Sequence, residues 1–257
     1  MKYVIMCGGH YDNFKELPKH FIKVGGEEII KRTLRLLQKY GIDKNDIIIT
    51  SSHPAFKQLG VKVTSDKKNT YSENGFFRDI KGYWVDGFYH LNEPTCYLFG
   101  DVYYSENCIK TIIATTTDDI VFFATAKPFV KEYIKNHTEP LGFKVVNYKK
   151  FYEAIEKSKK IWDAGKFWRH PISFDLWCVI QGFPTEYDYL KPQDASIFGK
   201  NFVPIYDYSC DVDLIEEARQ LEWALRLNDA RNLHKKLIAK KKKTTKGISS
   251  SDVYLYF

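Results

Sequence analysis

An apolar strand, Val4-Ile5-Met6, breaks into Cys7-Gly8-Gly9, and this junction constrains the fold more than any other stretch of the chain. Glycines let a loop approach a ligand closely, and their exposed N–H groups can hold a phosphate or a base edge. The alternation that follows is that of a parallel sheet covered by helices. Lys2–Met6 is the first strand. A helix begins near Glu27, with Ile30, Leu34 and Leu37 at helical spacing and Gly41 to close it. Residues 46–50 and 61–64 read as strands, and 72–88 as a helix with Phe76, Phe77, Ile80 and Trp84 on one side. Thr95–Phe99 reads as a central strand ending in Gly100-Asp101, followed by a helix over 105–114 and a strand over 120–124.

From 126 to 203 the order is less regular. Helical pieces at 152–162 and 174–180 flank Lys166-Phe167-Trp168-Arg169-His170-Pro171, and the stretch reads as an insertion or lid carrying a second substrate. Residues 204–208 read as a returning strand ended by Asp211-Val212-Asp213. A helix over 216–227 follows, with Ala218, Leu221, Ala224, Leu225 and Leu227 available to pack.

Charge excludes one class of function. Of the net +7, six charges fall in residues 234–257, which hold seven lysines and one aspartate. The rest is nearly neutral, so the chain is not expected to bind nucleic acid specifically, and the tail reads as a solvated helix end and linker. The terminal Val253-Tyr254-Leu255-Tyr256-Phe257 reads as a strand able to dock on the body or on a neighbouring copy, so a homo-oligomer is one expectation. Cys7, Cys96, Cys108, Cys178 and Cys210 are scattered, odd in number and without metal-ligand spacing, as in a reducing compartment. No apolar run reaches membrane-spanning length, and a cytoplasmic location is expected.

Ligands of open α/β sheets bind outside the carboxyl ends of the strands, where the Gly8-Gly9 loop and Asp101 both fall. Lys19, after Pro18, is placed to neutralise phosphate oxygens, and carboxylates at strand ends can hold a divalent ion. The plainer readings are a polar end to a buried strand for Asp101 and an N-terminal helix cap for Asp213. Lys166, Arg169 and His170, interleaved with Phe167 and Trp168, are the densest cationic group outside the tail. They read as an acceptor-phosphate site, with Asp175 and Trp177 as weaker members of the same wall.

Four stretches together resemble the nucleotidyltransferases that include sugar-phosphate nucleotidylyltransferases, phosphocholine cytidylyltransferases and molybdopterin guanylyltransferases. They are Val4 to Gly9, Leu17-Pro18-Lys19 on to Ile30, Leu98-Phe99-Gly100-Asp101-Val102-Tyr103, and Asp211-Val212-Asp213 on to Ala218. The resemblance implies a three-layer α/β/α sandwich with a mostly parallel, Rossmann-like sheet and an inserted acceptor-side segment. The nucleotidyltransferase domain would be 1–233, with 126–203 as the insertion and 234–257 as the tail. It also implies transfer of NMP from an NTP to a small phosphorylated acceptor with release of pyrophosphate. CTP is favoured by analogy with the phosphocholine enzymes, and the product would serve surface glycan synthesis.

Carried over by position, Gly8 and Gly9 would contact base and phosphates, and Lys19 would contact phosphates and steady the transition state. Asp101 and Asp213 would coordinate Mg²⁺, with Asp211 as support. Asn69, Ser72 and Asn74 would lie near the base. Where relatives have a small residue and an arginine after the glycines, this chain reads His10-Tyr11-Asp12-Asn13-Phe14-Lys15, leaving His10 or Lys15 to meet the triphosphate. Two other readings remain. A nucleotide-sugar glycosyltransferase would use Asp211-Val212-Asp213 as its metal pair, and a non-catalytic nucleotide-binding homologue would follow from the altered loop.

Overall fold

The computed structural model describes residues 1–8, 17–65, 84–125, 138–167, 172–183 and 198–245. The chain begins with β1 (Lys2–Met6), a short ribbon of β2 (Lys23–Val24) and β3 (Glu27–Glu28), and α1 (Ile29–Lys39). β4 (Ile47–Thr50), β5 (Lys62–Thr64), β6 (Thr95–Phe99), β7 (Val102–Tyr103) and α2 (Glu106–Ala114) follow. Then come β8 (Ile120–Thr125), β9 (Pro140–Val145), α3 (Tyr148–Asp163) and α4 (Ser173–Gln181). β10 (Phe202–Ile205), β11 (Cys210–Asp211) and α5 (Ile215–Thr245) complete it.

Seven strands form one sheet in the order β10-β8-β9-β6-β1-β4-β5. All pairings are parallel except those of β9, which runs antiparallel to β6 and β8. Neighbouring residues of β9 show why helices cover both faces, because successive side chains in a strand point to opposite sides. Phe143 lies 5.6 Å from the ring of Phe151 in α3 and 6.5 Å from Trp177 in α4. Lys144, the next residue, sends its ammonium the other way, to the carbonyls of Ile113 (3.1 Å) and Thr115 (2.6 Å) at the end of α2. A cation there meets carbonyls that the helix itself leaves without donors. The fold is therefore α/β, with helices on both sides of a largely parallel sheet.

Most elements lie where the sequence places them. Gly41 closes α1 with φ +87°, and the N–H of Ile42 reaches back to the Leu37 carbonyl at 3.1 Å. Ser105 caps α2 by accepting from the Cys108 N–H at 2.9 Å. The start of α3 comes a turn earlier than expected, because Asn147 accepts from the Lys150 N–H and fixes the entry there.

Three differences have physical causes. The strand expected at 204–208 is β10, Phe202–Ile205; Pro204 is tolerated inside it because β10 pairs with β8 alone and is an edge. Asp211-Val212-Asp213 does not end that strand but follows from β11, which pairs with β7. β9 was not expected at all: the stretch read as an insertion or lid holds a central strand, disguised by Pro140 and Gly142. Of the helix expected over 72–88, residues up to 83 lie outside the described residues, and Trp84–Gly87 form a 3-10 turn. All five cysteines are free and buried. Among the described residues no helix is long and apolar enough to cross a membrane.

Gly142 is fixed by close packing. A Cβ there would collide with the backbone carbonyl of Tyr97 on β6, which cannot swing aside as a flexible side chain would. Gly142→Ala is expected to lower the stability of the fold by about 1–3 kcal/mol. Urea unfolding checks this, and an unchanged midpoint contradicts it.

Candidate active site

The carboxyl ends of the two central parallel strands carry the site. β1 continues past Met6 through Cys7, whose N–H reaches the Thr50 carbonyl at 2.9 Å, and Gly8 lies just beyond. β6 ends at Gly100, whose N–H bonds the Met6 carbonyl at 2.9 Å. Only glycine fits at 100: a Cβ would press on the Cys7 sulfur, with Met6 O at 2.8 Å and His20 Cδ2 at 2.9 Å. This close approach sets Asp101 beside the loop that leaves β1.

Lys19 opens a single 3-10 turn, Lys19–Phe21, after the extended Pro18. Its side chain is only 5% exposed, and its ammonium is 2.7 Å from Asp101 Oδ2. The same ammonium also donates to Asp213 Oδ1. Asp213 reaches this position through the β7–β11 ribbon, where Cys210 pairs with Tyr103 and Asp211 with Val102. The Val212 N–H then bonds the Asp101 carbonyl at 2.9 Å. The Asp213 carboxylate does not serve as the cap of α5; Glu217 in the first turn reaches back to accept from the N–H groups of Asp213 (2.7 Å) and Leu214 (3.1 Å), which precede the helix. The Asp213 carboxylate is thereby left to Lys19 and solvent.

Burial raises the Asp101 carboxyl, but the Lys19 ammonium against it more than offsets this and holds it below the usual carboxylate range. His20, next along the turn, is buried with its ring edge toward Phe56 at 5.5 Å. Burial pushes its pKa down to about 4, so it is neutral at pH 7. The same cause raises the Cys7 thiol and leaves it inert.

Two side chains that sequence reasoning passed over hold this geometry. The buried Tyr104 hydroxyl accepts from the Phe99 N–H at 3.0 Å and lies 2.5 Å from the Leu141 carbonyl, filling the gap where β6 and β9 part. Arg32 of α1 donates from Nε to the Tyr104 carbonyl at 2.9 Å and lies 4.5 Å over the Tyr103 ring. The only sequence signal for either was the position of Tyr103-Tyr104 directly after Asp101.

Among the expected site residues, then, Lys19, Asp101 and Asp213 come together, with Gly8 at the neighbouring strand end. Asp211 sits in β11 opposite Val102. Lys166 is exposed in the turn after α3, and Phe167 is in the core. Asp175 accepts from the Ile172 N–H at the start of α4, and Trp177 is fully buried with its indole N–H on the Phe198 carbonyl. Gly9, His10, Lys15, Asn69, Ser72, Asn74, Arg169 and His170 lie outside the described residues. No group of three or more Asp, Glu, His or Cys side chains converges as a metal site among the described residues. The donor set still suits Mg²⁺, which takes one or two carboxylates and completes its shell with water and substrate phosphates.

No family model matches the sequence, and no curated protein does. Solved structures do. The 4-diphosphocytidyl-2C-methyl-D-erythritol synthase of Anaerococcus prevotii is 15% identical, with a TM-score of 0.51 over 88% of this chain and 95% of that one. The CTP:phosphocholine cytidylyltransferase of Streptococcus pneumoniae is 14% identical, with a TM-score of 0.46 over 87% and 98%. The inositol-1-phosphate CTP transferase of T. maritima is 16% identical, with a TM-score of 0.45 over 86% and 96%. At 15% identity the likeness to the Anaerococcus prevotii structure is one of fold.

Replacing Lys19 leaves two carboxylates facing one another without their cation. Lys19→Met is expected to cost about 1–3 kcal/mol, below the value for a fully buried pair because Asp213 is half exposed. Asp101→Asn added to it is expected to recover part of that loss. A double-mutant cycle by thermal unfolding measures the coupling, and strict additivity contradicts the ion-pair account.

Proposed function

We propose that the chain is a Mg²⁺-dependent nucleotidyltransferase that moves NMP from an NTP to a small phosphorylated acceptor and releases pyrophosphate. The observation that carries this reading is one lysine ammonium between two carboxylates at the carboxyl ends of β1 and β6. An acceptor phosphate attacking the α-phosphorus needs little covalent help from a protein. It needs two mutually repelling anions held in line, and positive charge where the transition state becomes more negative. Asp101 and Asp213, supported by Asp211 two residues earlier in the chain, would hold Mg²⁺, which when bound supplies charge neutralisation on the triphosphate.

Lys19 then has its part. With the two carboxylates engaged elsewhere, its ammonium is released toward the phosphates, already desolvated and already in place. The turn after Pro18 keeps it there, and Gly100 keeps Asp101 within reach. Gly8, Gly9, His10 and Lys15 would meet the nucleotide, Asn69, Ser72 and Asn74 its base, and Lys166, Arg169 and His170 the acceptor. CTP is favoured by analogy, because the aromatic, small-acceptor character is similar to that of the phosphocholine enzymes. The product would be an activated small molecule made in the cytoplasm for surface glycan or glycoconjugate synthesis.

Incubation with each NTP, Mg²⁺ and a panel of sugar phosphates, phospho-alcohols and phospho-amines is expected to release pyrophosphate, with CTP best. Asp101→Asn and Asp213→Asn are each expected to lower kcat/KM by at least about 100-fold, near 2.7 kcal/mol. Absence of both pyrophosphate release and nucleotide binding contradicts the reading. Sugar transfer from a UDP-sugar without pyrophosphate contradicts it in favour of a glycosyltransferase.

A further inference from the structure

α5 has two apolar faces and uses one. Ala218 and Leu221 are buried against the body, packed with Val24, Ile29 and Tyr103, and Ala224 is buried as well. Trp223, Leu227, Ala230 and Leu233 recur at spacings of three and four on the other side, and Trp223 and Leu233 are each 59% exposed. The helix runs 31 residues, about 46 Å, and every residue from Asp229 to Lys236 is exposed. The exposed stretch from Asp229 to Lys236 gains nothing from the body, and a helix in water draws most of its stability from packing.

Its charge is also polarised. Glu216, Glu217 and Glu222 lie in the first turns, while residues 231–245 contain no acid and carry Arg231, Lys235, Lys236 and four consecutive lysines at 240–243. We infer that the outer face of α5 is the docking surface for a second copy of this chain, with the two helices antiparallel and crossing near Asp229. That arrangement sets the lysine-rich end of each helix against the glutamates of the other and closes Trp223, Leu227 and Leu233 between them. Parallel pairing sets lysines on lysines.

An anionic membrane fits less well. A helix that lies on lipid segregates its cations from its apolar stripe. Glu216, exposed and seven residues before Trp223, falls on the apolar stripe at about 100° per residue and would face the anionic surface.

Sedimentation equilibrium of the full chain decides. A dimer is expected, weakening as salt rises, and Trp223→Glu with Leu233→Glu is expected to give a monomer whose circular dichroism melt is unchanged. Glu216→Lys alone, or Lys241→Glu with Lys242→Glu, is expected to weaken the dimer about tenfold, two symmetry-related contacts counting together. All three changes in one chain are expected to restore it, since each end again meets its opposite. The inference is overturned by a wild-type chain that stays monomeric. It is also overturned by a dimer indifferent to the Trp223 and Leu233 changes, by failure of the triple change to restore association, or by a monomer recruited to phosphatidylserine vesicles.

Discussion

The ammonium of Lys19 lies between Asp101 and Asp213, and the rest of the site is arranged so that this contact can exist. Three segments far apart in the sequence must converge to make it: the loop leaving β1, the end of β6 and the residues after β11. A cation with a 5% exposed side chain is costly unless well paired, so the two carboxylates are a condition of its burial. The converse also holds, because Lys19 is the main influence that keeps the partly buried Asp101 ionised. A group of this kind is a poor device for stability. On the proposed function it would receive a polyanion once a divalent cation takes the two carboxylates, with the Lys19 ammonium already desolvated and oriented.

The supports around it are mostly backbone and aromatic. Gly100 lets β6 approach β1, the Tyr104 hydroxyl bridges β6 to β9, and Arg32 ties the following residues to α1. The β7–β11 ribbon then carries Asp213 across to Asp101 through one backbone hydrogen bond. Each of these acts by fixing where a carboxylate sits. None of them would be expected to touch a substrate.

What was legible in the sequence follows from range. Apolar runs ending in glycine, and helices with Leu at three- and four-residue spacing, are local signals, and they gave β1, α1, β4, β6, α2 and β8. Lys19, Asp101 and Asp213 were singled out through short motifs, and the structure brings them together. β9 was hidden because Pro140 and Gly142 look like turn punctuation, when in fact the glycine is there for the Tyr97 carbonyl. Tyr104, Arg32 and the pairing of β7 with β11 could not be read, because each depends on a partner that no local pattern names. Phe167 and Trp177 likewise carry the residue types of a binding wall, and both are buried in the core.

A crystal structure with a non-hydrolysable NTP analogue and Mg²⁺ tests the central claim most directly. The account predicts that the metal lies between Asp101 and Asp213 and that the Lys19 ammonium has left both carboxylates for a phosphate oxygen. A nucleotide bound away from the ends of β1 and β6, or a Lys19 still bridging the two aspartates with nucleotide in place, contradicts it.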